Sequence, residues 1–181
     1  MEHSTEILYN RTRVYCSAVH RFGSDALLLA RFSEPKRAWR AADLCSGCGI
    51  VSLEWHDRGH RGPCLGLELQ PEASALLAAA CTEQDIEHIT PVCADLRSFR
   101  EGEGSYDLCA CNPPYFTAGE QAADRARATA RRLEPKRLAF VKNRPDAAPW
   151  LFLVEAQKNR KTGLRVEPDV LISAGAAMYG R

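Results

Sequence analysis

Between Trp39 and Cys111 short apolar runs alternate with helix-forming segments, and few folds accommodate that rhythm. Trp39 to Leu44 reads as a strand that runs into the turn Cys45-Ser46-Gly47-Cys48-Gly49. A helix over Ile50 to Asp57, closed by Gly59, follows. Cys64 to Leu69 is a second apolar strand, and Pro71 opens a helix over Glu72 to Thr82, as proline does at a first helical position. His88 to Ala94 supplies a third strand and Tyr106 to Cys111 a fourth. Strand–helix units of this length build a parallel sheet with helices on both faces, an α/β, Rossmann-like architecture. Folds of this kind bind ligands outside the carboxyl ends of their strands, so the residues that close each strand are where chemistry is expected.

The flanks are less regular. Arg13 to Val19 is β-like, and Ser24 is placed to cap a short helix over Asp25 to Phe32 that Pro35 terminates. Ala118 to Arg132 is rich in Ala and Arg and reads as a helix. Lys136 to Lys142 and Trp150 to Ala156 read as an antiparallel hairpin on the sheet edge, Leu164 to Ile172 as extended chain, and residues 173–181 as a flexible tail. Residues 1–172 are expected to form one domain, with 1–34 as an N-terminal cap segment. A hydrophobic share of 45% and a charged share of 26% are those of a globular chain, which excludes a disordered or fibrous one. No apolar run approaches the ~18–20 residues of a membrane span, and no secretory signal is evident, so the expectation is a cytoplasmic protein with no membrane partner.

Eight cysteines in such a chain are expected to be reduced thiols. Cys45 with Cys48 and Cys109 with Cys111 could form a four-thiolate zinc site if adjacent strands brought them together. Neither spacing is that of a zinc ribbon, so they read as small packing residues, with no metal expected. His56 and His60 stand four apart with Gly59 between them and read as surface groups.

Four strand ends carry candidate chemistry. Glycines in Asp43-x-Cys45-x-Gly47-x-Gly49 would let a ligand approach backbone amides at a strand-to-helix turn, although such turns also serve packing alone. Glu68 closes the next strand 19 residues after Gly49, near the ~20 expected of a ribose-binding acid. A dinucleotide fingerprint needs glycine at position 52, which is Ser52, so a nicotinamide site fits poorly. An acid leading the turn suits a cofactor with a cationic head, such as S-adenosylmethionine. Asp95 closes the third strand, where it could accept from an adenine amino group, with Leu96 packing the ring, or could cap the next turn. The fourth strand delivers Asn112-Pro113-Pro114-Tyr115. Two prolines freeze that turn, so the Asn112 side-chain oxygen and the Pro113 carbonyl could accept the protons of an amino or amide nitrogen, while Tyr115 offers a face for a flipped base.

Asp43-Leu44-Cys45-Ser46-Gly47-Cys48-Gly49 and Asn112-Pro113-Pro114-Tyr115, behind the leader Phe22-Gly23-Ser24-Asp25-Ala26-Leu27-Leu28-Leu29, resemble the S-adenosylmethionine-dependent methyltransferases of the tRNA(Val) adenine-N6 group. The resemblance extends from about Arg13 to Ile172. It implies a class I methyltransferase sheet with the cofactor S-adenosylmethionine held by Asp43, Cys45, Gly47, Gly49, Glu68, Asp95, Leu96 and Asn112, and with Glu68 on the ribose hydroxyls. It also implies that Asn112 to Tyr115 hold the target amino group, and that the product is N6-methyladenine in a tRNA anticodon loop. Asn-Pro-Pro-Tyr is shared with glutamine methyltransferases acting on release factors, which leaves a protein glutamine as an alternative substrate. Cys45 stands where the family has the first glycine of the turn, a mild change if its backbone is right-handed. Between the Asn-Pro-Pro-Tyr loop and the hairpin the family has a helix, a fifth strand and another helix. Here Thr117 to Pro135 is 19 residues, room for one helix, so strand five is expected to be missing. That would expose the strand bearing the candidate loop unless the hairpin or a dimer covers it, and a non-catalytic cofactor- or RNA-binding remnant is a further alternative.

Charge points to a polyanion. From Gln121 onward the chain has 13 Lys and Arg against 6 Asp and Glu, whereas the first 120 residues have 11 against 17. Arg125, Arg127, Arg131 and Arg132, with Lys136 and Arg137, form a candidate phosphate-contacting patch for RNA, as do Lys158, Arg160 and Lys161; a solvated helical face is the other reading.

Overall fold

The computed structural model describes residues 3–113, 133–158 and 161–172. They fall into two compact units, one containing the described residues up to Pro113 and the other those from Leu133 onward. Pro114, Tyr115, the expected helix over Ala118 to Arg132 and the tail lie outside the described residues.

The first unit opens with a hairpin of β1 (Ser4–Ile7) and β2 (Arg13–Cys16). Helix α1 (Ser24–Ser33) follows, then β3 (Ala41–Leu44), α2 (Ile50–Asp57), β4 (Cys64–Glu68), α3 (Pro71–Thr82), β5 (Ile89–Cys93) and β6 (Leu108–Cys111). Four strands form a parallel sheet in the order β5-β4-β3-β6. The chain thus leaves β3 toward one edge through β4 and β5, then crosses to the other side for β6. That reversal opens a crevice beyond the carboxyl ends of β3 and β6. The expected elements are present with shorter strands, and Pro91 is tolerated in β5 because β5 is an edge. Among the described residues β6 has one ladder partner, β3, and no fifth parallel strand follows it.

Strand alternation divides the core. Ala41 and Cys64 face a large cluster with Leu27, Leu53, Trp55, Leu76 and Leu77, which α1, α2 and α3 supply. Ala42, Leu65 and Leu67 face the other way, against Phe99 and Tyr106. Helices were expected on both faces, but all three described helices pack on one, because the β5-to-β6 connection is a chain of turns and not a helix. Trp55, 1% exposed, ties α2 to α1 by donating its indole N–H to the Ala30 carbonyl at 3.0 Å. Ser24 does not cap α1. The cap position is Gly23, with no side-chain hydrogen bond, and Ser24 lies inside the first turn. His60 is buried, not a surface group as expected. Its Nε2 lies 2.9 Å from the Trp39 carbonyl, and the half-buried His56 stacks on His88 with Nδ1 3.3 Å from Nε2. Burial, helped by Arg61 and His88, pushes His56 down to about 4, so it is a neutral imidazole at pH 7.

The second unit is a sheet built on β7 (Leu133–Lys142), which pairs antiparallel with β8 (Leu151–Lys158). On its other side β7 pairs in parallel with β9 (Arg165–Val166) and β10 (Val170–Leu171). The expected hairpin is present, but among the described residues its ladders join it to β9 and β10, and none joins it to the parallel sheet as expected. Its bulge between Pro135 and Arg137 falls where proline cannot donate to a ladder.

Candidate active site

Register brings the candidate residues together. Leu44 at the end of β3 is level with Leu67 of β4 and with Cys111 at the end of β6. The glycine turn, Glu68 and Asn112 therefore begin at one height along the sheet, on both sides of the crevice.

The turn is shaped by three left-handed residues, Cys45 (φ +59°), Gly47 (φ +56°) and Gly49 (φ +85°). Cys45 thus has the left-handed backbone of the glycine it replaces, contrary to the right-handed one that would make the change mild, and the strain costs about 1–2 kcal/mol. Gly47 opens on empty space, with nothing within 4 Å of where a side chain would begin. Gly49 does the opposite, since a Cβ there would lie 2.2 Å from Leu77 Cδ1. One glycine permits approach from outside, and the other permits α3 to pack from within.

Acids brace this turn. Asp43 is 1% exposed and accepts from the Ser52 amide at 3.1 Å, holding the first turn of α2. Burial raises it to about 7, against the pull of the Ser52 hydrogen bonds. Glu68 accepts from the Gly47 amide at 2.8 Å through Oε2 and from the Gln70 amide at 2.9 Å through Oε1. Asp95 is engaged by Arg97, whose Nη2 lies 2.6 Å from Oδ2 and whose amide donates to Oδ1 at 2.9 Å. Those bonds hold Asp95 at about 2, so the turn-capping reading of this residue describes what it does here. Leu96 is 41% exposed beside it, and Leu69, a residue the sequence did not single out, is 60% exposed beyond Glu68.

Asn112 is half-buried, and its Nδ2 donates to Asp25 Oδ2 at 2.8 Å. Asp25 was legible only as part of the leader. No local pattern assigns it a site role, because its partner is 87 residues away. Pro113 follows at the surface.

The four thiols considered for zinc do not converge. Cys45 is hydrogen-bonded to Cys111, which lowers Cys45 and raises Cys111, whereas Cys48 is bonded to Cys16. Among the described residues no group of three or more His, Cys, Asp or Glu is placed to hold a metal ion. Of the basic patch, Lys136 and Arg137 lie on strand β7, as expected of that segment. Arg137 is 3.0 Å from Glu155 and 4.0 Å from Glu167, so acids already offset its charge. Arg125, Arg127, Arg131, Arg132 and Arg160 lie outside the described residues. A cleft of about 780 Å³ at the far end of α2 has its acids committed, Glu54 to Arg31 and Asp57 to the amides of Asn10 and Thr12.

The residues present fit a nucleoside-bearing cation. The ground over Gly47 is open, a buried carboxylate titrating near neutrality lies under the turn, and the buried Ser46 hydroxyl has no partner among the described residues. A crevice at a topological switch point, closed by an acid at the end of β4 and an Asn-Pro at the end of β6, is the ligand-binding edge of a Rossmann-like fold. Comparisons agree. The fold matches the crystal structure of a predicted O-methyltransferase from Agrobacterium tumefaciens with a TM-score of 0.67 at 18% identity, over 84% of this chain and 89% of that one. The tRNA1(Val) (adenine(37)-N6)-methyltransferase of Yersinia enterocolitica is 30% identical over 114 residues, covering 61% of this chain and 45% of that protein. The protein of the same description from Bacteroides fragilis is 31% identical over 114 residues, covering 61% and 48%. This chain spans about half the length of the curated relatives it matches. The sequence profile of the methyltransferase small domain matches residues 6–158, and the chain belongs to that family.

Proposed function

We propose that this chain is an S-adenosylmethionine-dependent methyltransferase that modifies the N6 amino group of an adenine in structured RNA, with a tRNA anticodon loop as the substrate and the cytoplasm as its compartment. The observation that carries the reading is the placement of Asn112-Pro113 where β6 ends, one strand from the glycine turn and on the opposite side of the crevice from Glu68. The cofactor supplies an electrophilic methyl carbon on a sulfonium. Glu68 would take the ribose: each carboxylate oxygen has two lone pairs, one of each already accepts a backbone amide, and one of each remains for a pair of vicinal hydroxyls. Asp43 would favour the positive head from beneath the turn, and Leu96 would pack the adenine. Asp95 would accept the adenine amino group once Arg97 turns aside.

At the target base, the Asn112 side-chain oxygen and the Pro113 carbonyl would accept the amino protons, so that the nitrogen lone pair faces the methyl carbon. Tyr115 would stack on the flipped base, and Pro114 would hold that turn rigid. Rate enhancement then comes from orientation and fixed acceptors. The arginines of residues 125–132, with Lys136, would contact phosphates and position the RNA without reading its sequence.

The test is calorimetric titration with S-adenosylmethionine, followed by methyl transfer to tRNA transcripts with nucleoside analysis, for the wild type and Asn112→Ala. Micromolar binding by both, with transfer lost by about 10²-fold or more in the variant, is the expected result. Undiminished transfer by Asn112→Ala refutes the chemistry. Transfer to a glutamine peptide in place of RNA moves the substrate to protein, and binding without transfer to either marks a non-catalytic module.

A further inference from the structure

The Asn112–Asp25 contact has a consequence for the amide of Asn112. A carboxylate only accepts, so the group that Asn112 turns toward Asp25 at 2.8 Å is its NH₂. The planar amide then carries its Oδ1 away from Asp25. The reverse orientation would set two oxygens against each other at hydrogen-bond distance. An isolated asparagine chooses freely between the two orientations, and one of them would present N–H donors to an amino group that is itself a donor.

Gly23 supports the same point independently. Its backbone is extended, with φ −103° and ψ 178°, which any residue adopts. A Cβ there would nonetheless lie 2.4 Å from Asp25 Oδ1. A side chain at position 23 would therefore push the Asp25 carboxylate from where it rests, although the backbone there would accept any residue.

We infer that Asp25 is a positioning residue: it fixes the amide of Asn112 so that Oδ1 faces the target amino group, and Gly23 leaves the space in which its carboxylate does so. The inference rests on the proposed function, since it assigns Asn112 its acceptor role there.

The test measures single-turnover methyl transfer, cofactor affinity and melting for Asp25→Asn, Gly23→Ala, Asn112→Asp and the double variant Asp25→Asn/Asn112→Asp. Asp25→Asn is isosteric, but its amide can donate as well as accept, so it no longer selects one orientation of Asn112. A rate about tenfold lower is expected, the difference between a charge-assisted bond and a neutral one, with cofactor affinity within twofold of wild type. Gly23→Ala lowers the rate in the same way. Asn112→Asp opposes two carboxylates and is slower still. Adding Asp25→Asn to it supplies a donor and raises the rate at least about tenfold over Asn112→Asp, a reversal of sign that a role in stability alone does not produce. The ¹⁵N side-chain resonance of Asn112, assigned by its loss in Asn112→Asp, shifts in Asp25→Asn whether or not transfer occurs. An Asp25→Asn protein as fast as wild type, or a double variant no faster than Asn112→Asp, overturns the positioning role. A wild-type protein that shows the resonance but transfers no methyl group refutes the proposed function and takes the positioning role with it.

Discussion

Gly49→Ala is expected to be the most destabilising small change in the turn, and its size follows from two separate terms. The residue has φ +85°, and holding an L-amino acid there costs about 1–2 kcal/mol. The new methyl would lie 2.2 Å from Leu77 Cδ1 and 2.9 Å from Cγ, inside a core where Leu77 is fully buried. Repacking to relieve such a contact costs about 1–3 kcal/mol more. The sum, about 2–5 kcal/mol, is a large part of the ~5–15 kcal/mol by which a native domain exceeds its unfolded state. Gly47→Ala isolates the first term. Its φ is also left-handed, but open space receives the methyl, so the loss is about 1–2 kcal/mol with the fold intact. Urea unfolding of both variants, with the slope checked for constancy, measures the difference. A third protein tests the cause. Leu77→Ala alone loses about 2–5 kcal/mol, but in the Gly49→Ala background its loss is smaller by about 1–3 kcal/mol, because the new methyl occupies space the leucine vacated. Equal losses in Gly47→Ala and Gly49→Ala, or strict additivity with Leu77→Ala, would refute the packing explanation of the second glycine.

Asp43 makes stability depend on pH. Its carboxyl stays protonated up to about 7 in the folded chain against an ordinary 3.8, so folding binds a proton between those values. Its contribution is fully present below about pH 4 and is lost as pH rises through 7, by at most about 4 kcal/mol; urea midpoints from pH 4 to 8 should fall less steeply in Asp43→Asn, and parallel curves would contradict the assignment. Asp57, 6% exposed, accepts from the amides of Asn10 at 2.8 Å and Thr12 at 3.0 Å, which fastens the β1–β2 loop to α2. Asp57→Ala should lose about 2–4 kcal/mol in chemical denaturation with cofactor affinity unchanged, and a loss under 1 kcal/mol would show that water replaces the carboxylate.

The parallel sheet was legible because its signals are local. Each strand is a short apolar run, each helix opens at a glycine or proline, and Ile50–Asp57 is recovered to the residue. The chain's nonlocal pairings were not legible. Nothing in Ser4–Ile7, all of it exposed, announces a partner for Arg13–Cys16, and β9 and β10 are two residues each. His60 was misplaced because a histidine after a glycine resembles a surface turn, and the groups beside it, the Trp39 carbonyl and the Trp55 and His88 rings, come from other parts of the chain. Arg137 was assigned to a phosphate patch on charge alone, and the acids that offset it lie 18 and 30 residues further along. The candidate residues could be placed at the strand ends from the sequence. Their partners did not, since Asp25 meets Asn112 and Glu68 meets Gly47 across separate elements.

Those partners share a feature that bears on how such a site would work. Asp43 holds the Ser52 amide, Glu68 the amides of Gly47 and Gln70, Asp95 the Arg97 amide and guanidinium, and Asp25 the Asn112 side chain. Each carboxylate at the crevice is therefore oriented by the protein before any ligand arrives. Loose side chains would lose rotamer freedom on binding, at ~0.5–1.5 kcal/mol apiece, whereas Asp43, Glu68 and Asp25 are already fixed and Asp95 alone would first have to give up Arg97. Under the proposed function that rigidity matters most at the acceptor of the target amino group, the role proposed for Asn112. There Asn112 is anchored by a charged partner from α1, outside the sheet that carries it.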